Sequence, residues 1–322
     1  MLIYIGSRRQ THVLRTMWRD ERMPRWICRT YSWLFRTRQL PAATYIFTGV
    51  DRLDAGERRL AAQFYRHINA QTGFRALNDP AVAMNRFRLL RTLFEKGVNS
   101  FNAYLVPEKA RPSRYPVFIR RNSASVPPLT GLLRDEVELD REINRLVAAG
   151  EVAEDLILIE YCAQEVEVGI FAKQAEYRIG NQYVPNATQF SDGWYVKRAT
   201  HIEVPDRFHH ADALMLEENP YAAPLARVFE IAGIEYGRAD FGVVNGRPEV
   251  FEINFNPDLM TQRERPRRNP LNRANCDRSD TLLFEALHAI DTSERGSMKT
   301  IGNSELAQFR LRFWRNYAPQ RY

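Results

Sequence analysis

Cysteine is scarce in this chain of 322 residues: Cys28, Cys162 and Cys276 lie far apart and form no Cys-x-x-Cys pair. Neither a disulfide framework nor a zinc site is therefore expected. No apolar run approaches the roughly 20 residues that a membrane-spanning helix requires, so no integral membrane protein is expected. Four short signatures are also missing: Gly-x-x-x-x-Gly-Lys-Ser/Thr, Gly-x-Gly-x-x-Gly, His-Glu-x-x-His and Gly-x-Ser-x-Gly. The chemistries that those motifs carry lose their support with them. A secretory signal would set basic residues ahead of an apolar core. Here a strand-like run at 1–5 precedes Arg8 and Arg9, and the expectation is a soluble cytoplasmic protein. The apolar share of 44% is too high for a disordered chain, and the length suits two domains or one large composite.

Lysine is missing from the first 40 residues, which hold nine arginines against only Asp20 and Glu21. That surplus of seven equals the net charge of the whole chain, +7. A second stretch, 263–273, carries five arginines against Glu264. In the first stretch Trp18, Trp26, Tyr31, Trp33 and Phe35 are interleaved with the arginines. Arginine beside aromatics can grip phosphates and stack bases, which makes a nucleic acid or other polyanion one candidate partner of 1–40 and 263–273. The plainer reading is an amphipathic helix. An Arg-rich organellar presequence is a third, opposed by the strand that starts the chain.

Strands are expected at 2–6, 43–49, 116–121, 155–161, 166–173, 193–198, 235–244 and 249–254. Helices are expected near 54–71, from Asp79-Pro80 to about Gly97, and near 134–149, 222–233, 280–291 and 303–316. The proline-bearing stretch 106–116 reads as a connector. His201, His209 and His210 have no carboxylate at metal-ligand spacing and are expected at the surface.

The sharpest signal is the segment from Tyr236 to Pro257, where Asn245-Gly246 separates two apolar runs and predicts a hairpin. A two-residue loop would pair Val244 with Arg247 and set Asp240 opposite Phe251. A three-residue loop, 245–247, pairs Val244 with Pro248, Asp240 with Glu252 and Arg238 with Asn254. Opposed residues share a face and strands alternate with period 2, so the second register collects Arg238, Asp240, Glu252 and Asn254 on one side. Ala239, Phe241, Val243, Phe251 and Ile253 then form the core side. Only that register separates oily from polar residues, and it is the expected one. Two carboxylates and a carboxamide are hard oxygen donors of the kind that suit Mg²⁺, which completes its shell with waters and phosphates. A neighbouring guanidinium can stabilise a phosphoryl group in transfer.

Asp240 followed by Glu252-Ile253-Asn254-Phe255-Asn256-Pro257, with Arg238 two residues before the Asp, resembles the metal-binding hairpin of the ATP-grasp superfamily. Other segments resemble family features in the expected order over roughly 75–260. They are Leu77-Asn78-Asp79-Pro80 with Asn85-Arg86-Phe87, then Tyr115-Pro116-Val117-Phe118-Ile119-Arg120. Ile157-Leu158-Ile159-Glu160-Tyr161-Cys162 with Glu165-Val166-Glu167-Val168 follows, and Trp194-Tyr195-Val196-Lys197 after it. The resemblance implies an α+β fold with two subdomains, about 80–165 and 166–295, sandwiching ATP. An α/β domain at 1–78 would precede them and a helical extension at 296–322 would follow. It implies an ATP-dependent, ADP-forming ligase that activates a carboxylate as an acyl phosphate for attack by an amine or other nucleophile. Asp240, Glu252 and Asn254 would hold Mg²⁺ (or Mn²⁺), and Arg238 would stabilise the phosphoryl group. Arg86, Arg120 and Lys197 would hold the ATP phosphates. Glu160, Tyr161 and Cys162 would define the adenine slot, with Glu165 or Glu167 on the ribose.

Two departures stand out. The family's phosphate-binding lysines would both be arginines here, Arg86 and Arg120, with Arg121 a substitute for the latter; charge survives and point-like geometry does not. The glycine-rich phosphate lid would be 122–131, with one glycine and two prolines, so the hydroxyls of Ser123 and Ser125 would stand in for backbone N–H groups. Lys173 and Arg178 flank the adenine-side strands, within reach of phosphate, but read first as exposed strand-end charges. The rival expectations are a nucleotide-binding module without turnover and a basic nucleic-acid-binding protein.

Overall fold

The computed structural model describes residues 1–6, 20–123, 126–196, 202–257, 259, 269–291 and 298–301. Its first strand, β1 (Leu2–Gly6), buries four consecutive side chains, as a continuous apolar run does when both faces of a parallel sheet are covered. It pairs in parallel with β2 (Trp26–Thr30) and with β4 (Thr44–Phe47), which pairs in turn with β5 (Arg75–Leu77). Between them α1 (Tyr31–Arg36) and β3 (Gln39–Pro41) follow β2. The basic N-terminal segment therefore holds a strand and a short helix among its described residues, and 7–19 lie outside them. The helix α2 (Ala55–Asn69) opens with a reciprocal Asp54–Glu57 capping box and buries Leu60, Phe64 and Ile68 at the expected spacing.

The helix expected from Asp79 starts later. Asp79 forms a turn with Ala81, and α3 (Arg86–Glu95) begins after Asn85, whose side chain caps Arg88 N–H. Next comes an antiparallel sheet in the order β6 (Ala103–Leu105), β8 (Leu156–Glu160), β7 (Val117–Arg121). Alternate side chains of β7 and β8 meet Leu139 and Leu146 of α4 (Glu136–Ala148), while Ile157 and Ile159 meet Phe101 and Leu90 of α3. All five residues of β8 are buried as a result.

The third sheet runs β11 (Gln182–Ser191), β10 (Ile170–Ile179), β12 (Tyr236–Val244), β13 (Arg247–Asn254), with β9 (Glu165–Glu167) beside β10. This corrects the expected strands at 166–173 and 193–198: β10 runs on to Ile179, a two-residue Gly180-Asn181 turn follows, and 192–196 is not a strand. Pro185 lies within β11, which among the described residues pairs only with β10, so its missing N–H breaks no ladder on the edge side. The helices α5 (Asp206–Glu218), α6 (Ala222–Ala232) and α7 (Pro270–Ala289) cover this sheet, α7 starting ten residues before the expected 280.

Two cores tie the sheets together. Ile3, Phe47 and Phe64 share one with α6 and with Ala239, Phe241, Val250 and Ile253 of the hairpin. Leu2, Tyr4 and Ile46 share the other with Tyr177, Tyr236 and the α7 residues Leu283, Phe284 and Leu287. Asn78, fully buried at a φ of 67°, stitches the strand ends. Its Nδ2 donates to the Phe47 and Tyr236 carbonyls, and its Oδ1 accepts from the N–H groups of Glu235 and Tyr236. Finally β14 (Met298–Thr300) pairs with β3, a strand at the start of the 296–322 extension; the helix expected at 303–316 lies outside the described residues.

Candidate functional site

The hairpin β12–β13 reaches the expected site register by an unexpected route. Its loop is the two-residue Asn245-Gly246 turn, with φ values of 49° and 76°, and Val244 pairs with Arg247. A bulge then shifts the ladder between Asp240 and Phe241, so Phe241 opposes Val250 while Asp240 opposes Glu252 and Arg238 opposes Asn254. Phe251 is the extra residue. It leaves the expected core side, where Val250 takes its place, and turns toward Phe101, the ring planes tilted by 45° and the centroids 6.2 Å apart. A side chain at Gly242 would start 2.9 Å from the Phe251 ring, so glycine is what lets that ring cross the partner strand.

Below the bulge the four polar side chains share one face. Arg238 grips Asp240 in a fork, Nε to Oδ1 at 2.7 Å and Nη2 to Oδ2 at 3.3 Å. Lys173, from β10, donates to Oδ2 of Asp240 at 3.0 Å. Across the pair, Glu252 is ion-paired with Arg86 at the first turn of α3, and Arg120 of β7 stands 3.7 Å away. Asn254 Nδ2 donates to Oε1 of Glu252 at 3.3 Å. Four cations from four elements therefore converge on two acids.

The electrostatic balance follows from that count. Burial alone would push the Glu252 carboxyl up, but Arg86, Arg120 and Lys173 more than reverse it and hold it well below the ordinary carboxylate range. Burial is likewise outweighed at Asp240 by Arg238 and Lys173. Both acids stay ionised. Burial, with repulsion from Arg86, makes Arg120 a weaker base than usual, and its Nε is buried with no hydrogen-bond partner among the described residues. A buried guanidinium with an unfilled donor fits an anion that brings acceptor oxygens. Among the described residues no group of three or more His, Cys, Asp or Glu could hold a metal. Two carboxylates and Asn254 suit Mg²⁺ only if phosphate oxygens complete the shell.

Of the two adjacent arginines of β7, Arg120 faces this cluster, whereas Arg121 turns away to pair with Glu151. Lys173, expected to be an exposed strand-end charge, has a side chain only 15% exposed and belongs to the cluster. Its alternation with Ala175 and Tyr177 along β10 would have flagged it, had the strand been traced to Ile179. Lys197 lies outside the described residues, as do 263–268 and Ser125.

The adenine-side residues separate. Glu160 is buried in its own network: its carboxylate accepts from Asn102 N–H, Tyr104 Oη and Ser113 N–H and Oγ at 2.7–2.9 Å. Its carboxylate is thus engaged within the protein. Tyr161 instead meets Trp194 edge-on, with centroids 5.8 Å apart, and Phe118 meets the same indole at 5.1 Å. Cys162 is half-buried, 3.5 Å from Ser100 Oγ, and burial raises its thiol. Glu165 and Glu167 are exposed; the first accepts from Gly169 N–H and the second pairs with Arg207. Tyr161 was expected at the adenine slot, but its grouping with Phe118 and Trp194 was not foreseen, because the three lie in separate segments. His209 also departs from expectation: it is buried beside Phe190, near the Asp212 carboxylate that Thr188 and Asn275 hold.

No helix among the described residues is long and apolar enough to cross a membrane. No family model matches the sequence, and no curated protein matches it. Among solved structures, a D-alanine–D-alanine ligase from Bacillus anthracis aligns at a TM-score of 0.51 with 12% identity, covering 90% of this chain and 97% of that one. The ATP-grasp ligase PsnB with its minimal precursor aligns at 0.47 with 14% identity, covering 89% and 98%. A RimK domain ATP-grasp protein from Sphaerobacter thermophilus aligns at 0.43 with 14% identity, covering 87% and 99%. From the alignment with the D-alanine–D-alanine ligase and the sheets described above, the chain has the fold of that ligase, the α+β ATP-grasp fold, with an α/β sheet in front.

Proposed function

We propose that the protein is an ATP-dependent, ADP-forming ligase that activates a carboxylate as its acyl phosphate and passes the acyl group to an amine or other nucleophile. The observation that carries this reading is the face where Arg86, Arg120, Lys173 and Arg238 surround Asp240 and Glu252. Polyphosphate has the opposite charge and the acceptor oxygens that such a site wants. Mg²⁺ (or Mn²⁺), when bound by Asp240, Glu252, Asn254 and phosphate oxygens, would neutralise charge as it moves. Arg86 and Arg120 would hold the phosphates in line. Arg238, locked against Asp240, would sit beside the transferring group without needing to reorganise. An oxygen of the substrate carboxylate bonds to the γ-phosphorus as the bond to the β,γ-bridging oxygen breaks, releasing ADP. The nucleophile then adds to the acyl carbon, phosphate leaves, and the nucleophile's proton goes to solvent or phosphate. Phe118, Tyr161 and Trp194 offer flat apolar surface for the base, with backbone of 160–162 at its edge and Glu165 as the acid nearest that rim in sequence.

The test is calorimetric titration with a non-hydrolysable ATP analogue and Mg²⁺, in the parent protein and in Arg120→Met. Loss of one charged hydrogen-bonding group is worth about 1.5–3 kcal/mol, so the analogue should bind at least tenfold more weakly to the variant. No binding to the parent, or equal binding to both, defeats the proposal.

A further inference from the structure

Lys173 is the member of the cation cluster to which the ligase reading gives no task, and among the described residues of that cluster it is the one lysine beside three arginines. Its strand brings it to a particular place. The ladder of β10 with β12 ends at Gln174, and the ladder with β9 covers Ile170 and Phe171, so Lys173 stands in the gap between the two. From there its Nζ donates to Oδ2 of Asp240 at 3.0 Å, with both side chains largely buried. We propose that Lys173 is a stand-in cation that closes Asp240 to a divalent ion until polyphosphate draws the ammonium onto its own oxygens. This rests on the ligase reading above and adds the order in which the site fills.

Three observations support it. Asp240 and Glu252 oppose each other across the β12–β13 ladder, and like charges in directly opposed positions repel. The pair therefore needs positive charge nearby, and the Lys173 charge acts on both carboxyls. Secondly, each carboxylate oxygen of the pair already accepts from a donor. Arg238 serves both oxygens of Asp240, Lys173 serves Oδ2, Asn254 serves Oε1 of Glu252 and Arg86 serves Oε2. A divalent ion must displace one of these donors before it coordinates. Thirdly, Lys173 is held less firmly than its neighbours. Arg238 makes two hydrogen bonds to Asp240 and lies over the Tyr177 ring, 5.8 Å from its centroid. Arg86 also donates to the Arg121 carbonyl. Lys173 makes one hydrogen bond, which leaves two N–H groups without an acceptor among the described residues. An ammonium is a point charge with rotatable donors on a flexible stem. It can turn to phosphate oxygens with little rearrangement, and those oxygens satisfy the two spare donors. Arg238 keeps its shorter bond, to Oδ1, so Oδ2 is the oxygen released.

The test uses two probes taken one at a time. Mn²⁺ alone is titrated into the protein and its free form counted by electron paramagnetic resonance. The non-hydrolysable ATP analogue is titrated calorimetrically in EDTA. In Lys173→Met the two affinities should move in opposite directions. Mn²⁺ should bind about tenfold or more tightly, because a unit positive charge beside Asp240 is gone. The metal-free analogue should bind about tenfold or more weakly, because a charged donor to phosphate is gone. Lys173→Gln, which keeps a neutral donor to Asp240, should move both affinities in the same senses and serves where the Met variant fails to fold. Lys173→Arg should exclude Mn²⁺ as the parent does. A general loss of structure would weaken both ligands together, so the crossing of the two effects is the signature. Mn²⁺ binding no tighter in the neutral variants than in the parent, or an unchanged metal-free analogue affinity, overturns the inference and leaves nucleotide binding standing. An analogue that fails to bind the parent, with or without Mn²⁺, removes the ligase reading and the release of Asp240 along with it.

Discussion

Replacing Glu252 by glutamine removes one negative charge and almost no volume, and its effect can be worked from the ion pairs it leaves behind. Arg86 pairs directly with Glu252 and Arg120 stands 3.7 Å away; their side chains are only 9% and 7% exposed. A unit pair near 4 Å is worth about 4 kcal/mol at an effective dielectric constant of 20. The neutral amide recovers part of this, because it no longer carries the desolvation cost of a buried carboxylate. Breaking one side of a buried pair costs about 3–5 kcal/mol, so about 3 kcal/mol is the expected net loss here. At about 2 °C per kcal/mol for a chain of this size, the melting midpoint should fall by about 6 °C in scanning calorimetry. The same scan with added inorganic triphosphate, without metal, separates the causes. The variant's two arginines lack their anion, so triphosphate should raise its midpoint by several degrees more than the parent's. ADP release should disappear in the variant at the same time. A midpoint within 1–2 °C of the parent, or a triphosphate shift no larger than the parent's, would falsify the view that Glu252 is the internal counter-ion of the phosphate-facing arginines.

Further expectations concern the scaffold. Burial pushes Glu176 up to about 7, with the Asn219 side chain opposing; its protonated form is favoured in the folded state, so stability should be full below pH 4.5 and decline as pH rises through 7, by about 3 kcal/mol in all. Urea midpoints across that range should show the decline in the parent and a flat profile in Glu176→Gln. Asn78→Ala strips four buried hydrogen bonds and should lower the unfolding free energy by about 3 kcal/mol or more in urea titration, with Asn78→Asp rescuing little because the Phe47 and Tyr236 carbonyls need donors. Gly242→Ala should cost about 1–3 kcal/mol by overpacking against Phe251, and Phe251→Leu should remove most of that cost in a double-mutant cycle.

The hairpin shows how far sequence reasoning reaches. Segregating oily from polar residues correctly put Asp240 opposite Glu252, because a buried face tolerates no slip. The same argument assigned the extra residue to the turn, since pattern alone cannot tell a three-residue loop from a tight turn followed by a bulge. Asn245-Gly246 was the better guide to the loop, and Phe251 beside Gly242 was the trace of the bulge. Elements with one dominant period, such as α2 and α4, were legible. The strand β11 was not, because Pro185 and Asn186 have low strand propensity and it is the edge position that makes them harmless. The site followed the same rule: residues on the hairpin were found together, whereas Lys173, Phe118 and Trp194 come from separate elements that only the tertiary fold brings near it.

The exchange of lysine for arginine is not confined to the site: the chain has 41 arginines and five lysines. Its consequence in the site is nonetheless specific. A lysine is a point charge that can wait in water for a phosphate, whereas a buried guanidinium has a fork of donors that must be met. Arg86 and Arg120 meet part of theirs with Glu252, and Arg238 meets its own with Asp240. Counting Lys173, four cations face two acids, so a divalent ion arriving alone would meet a net charge of +2 and acids already taken. A polyphosphate arriving first would be attracted, would draw the arginines toward its own oxygens, and would thereby release carboxylate oxygens for the ion. An arginine-rich site of this kind would therefore couple the two ligands of the proposed reaction, the acids becoming available to metal only as phosphate replaced them as partners of the guanidiniums.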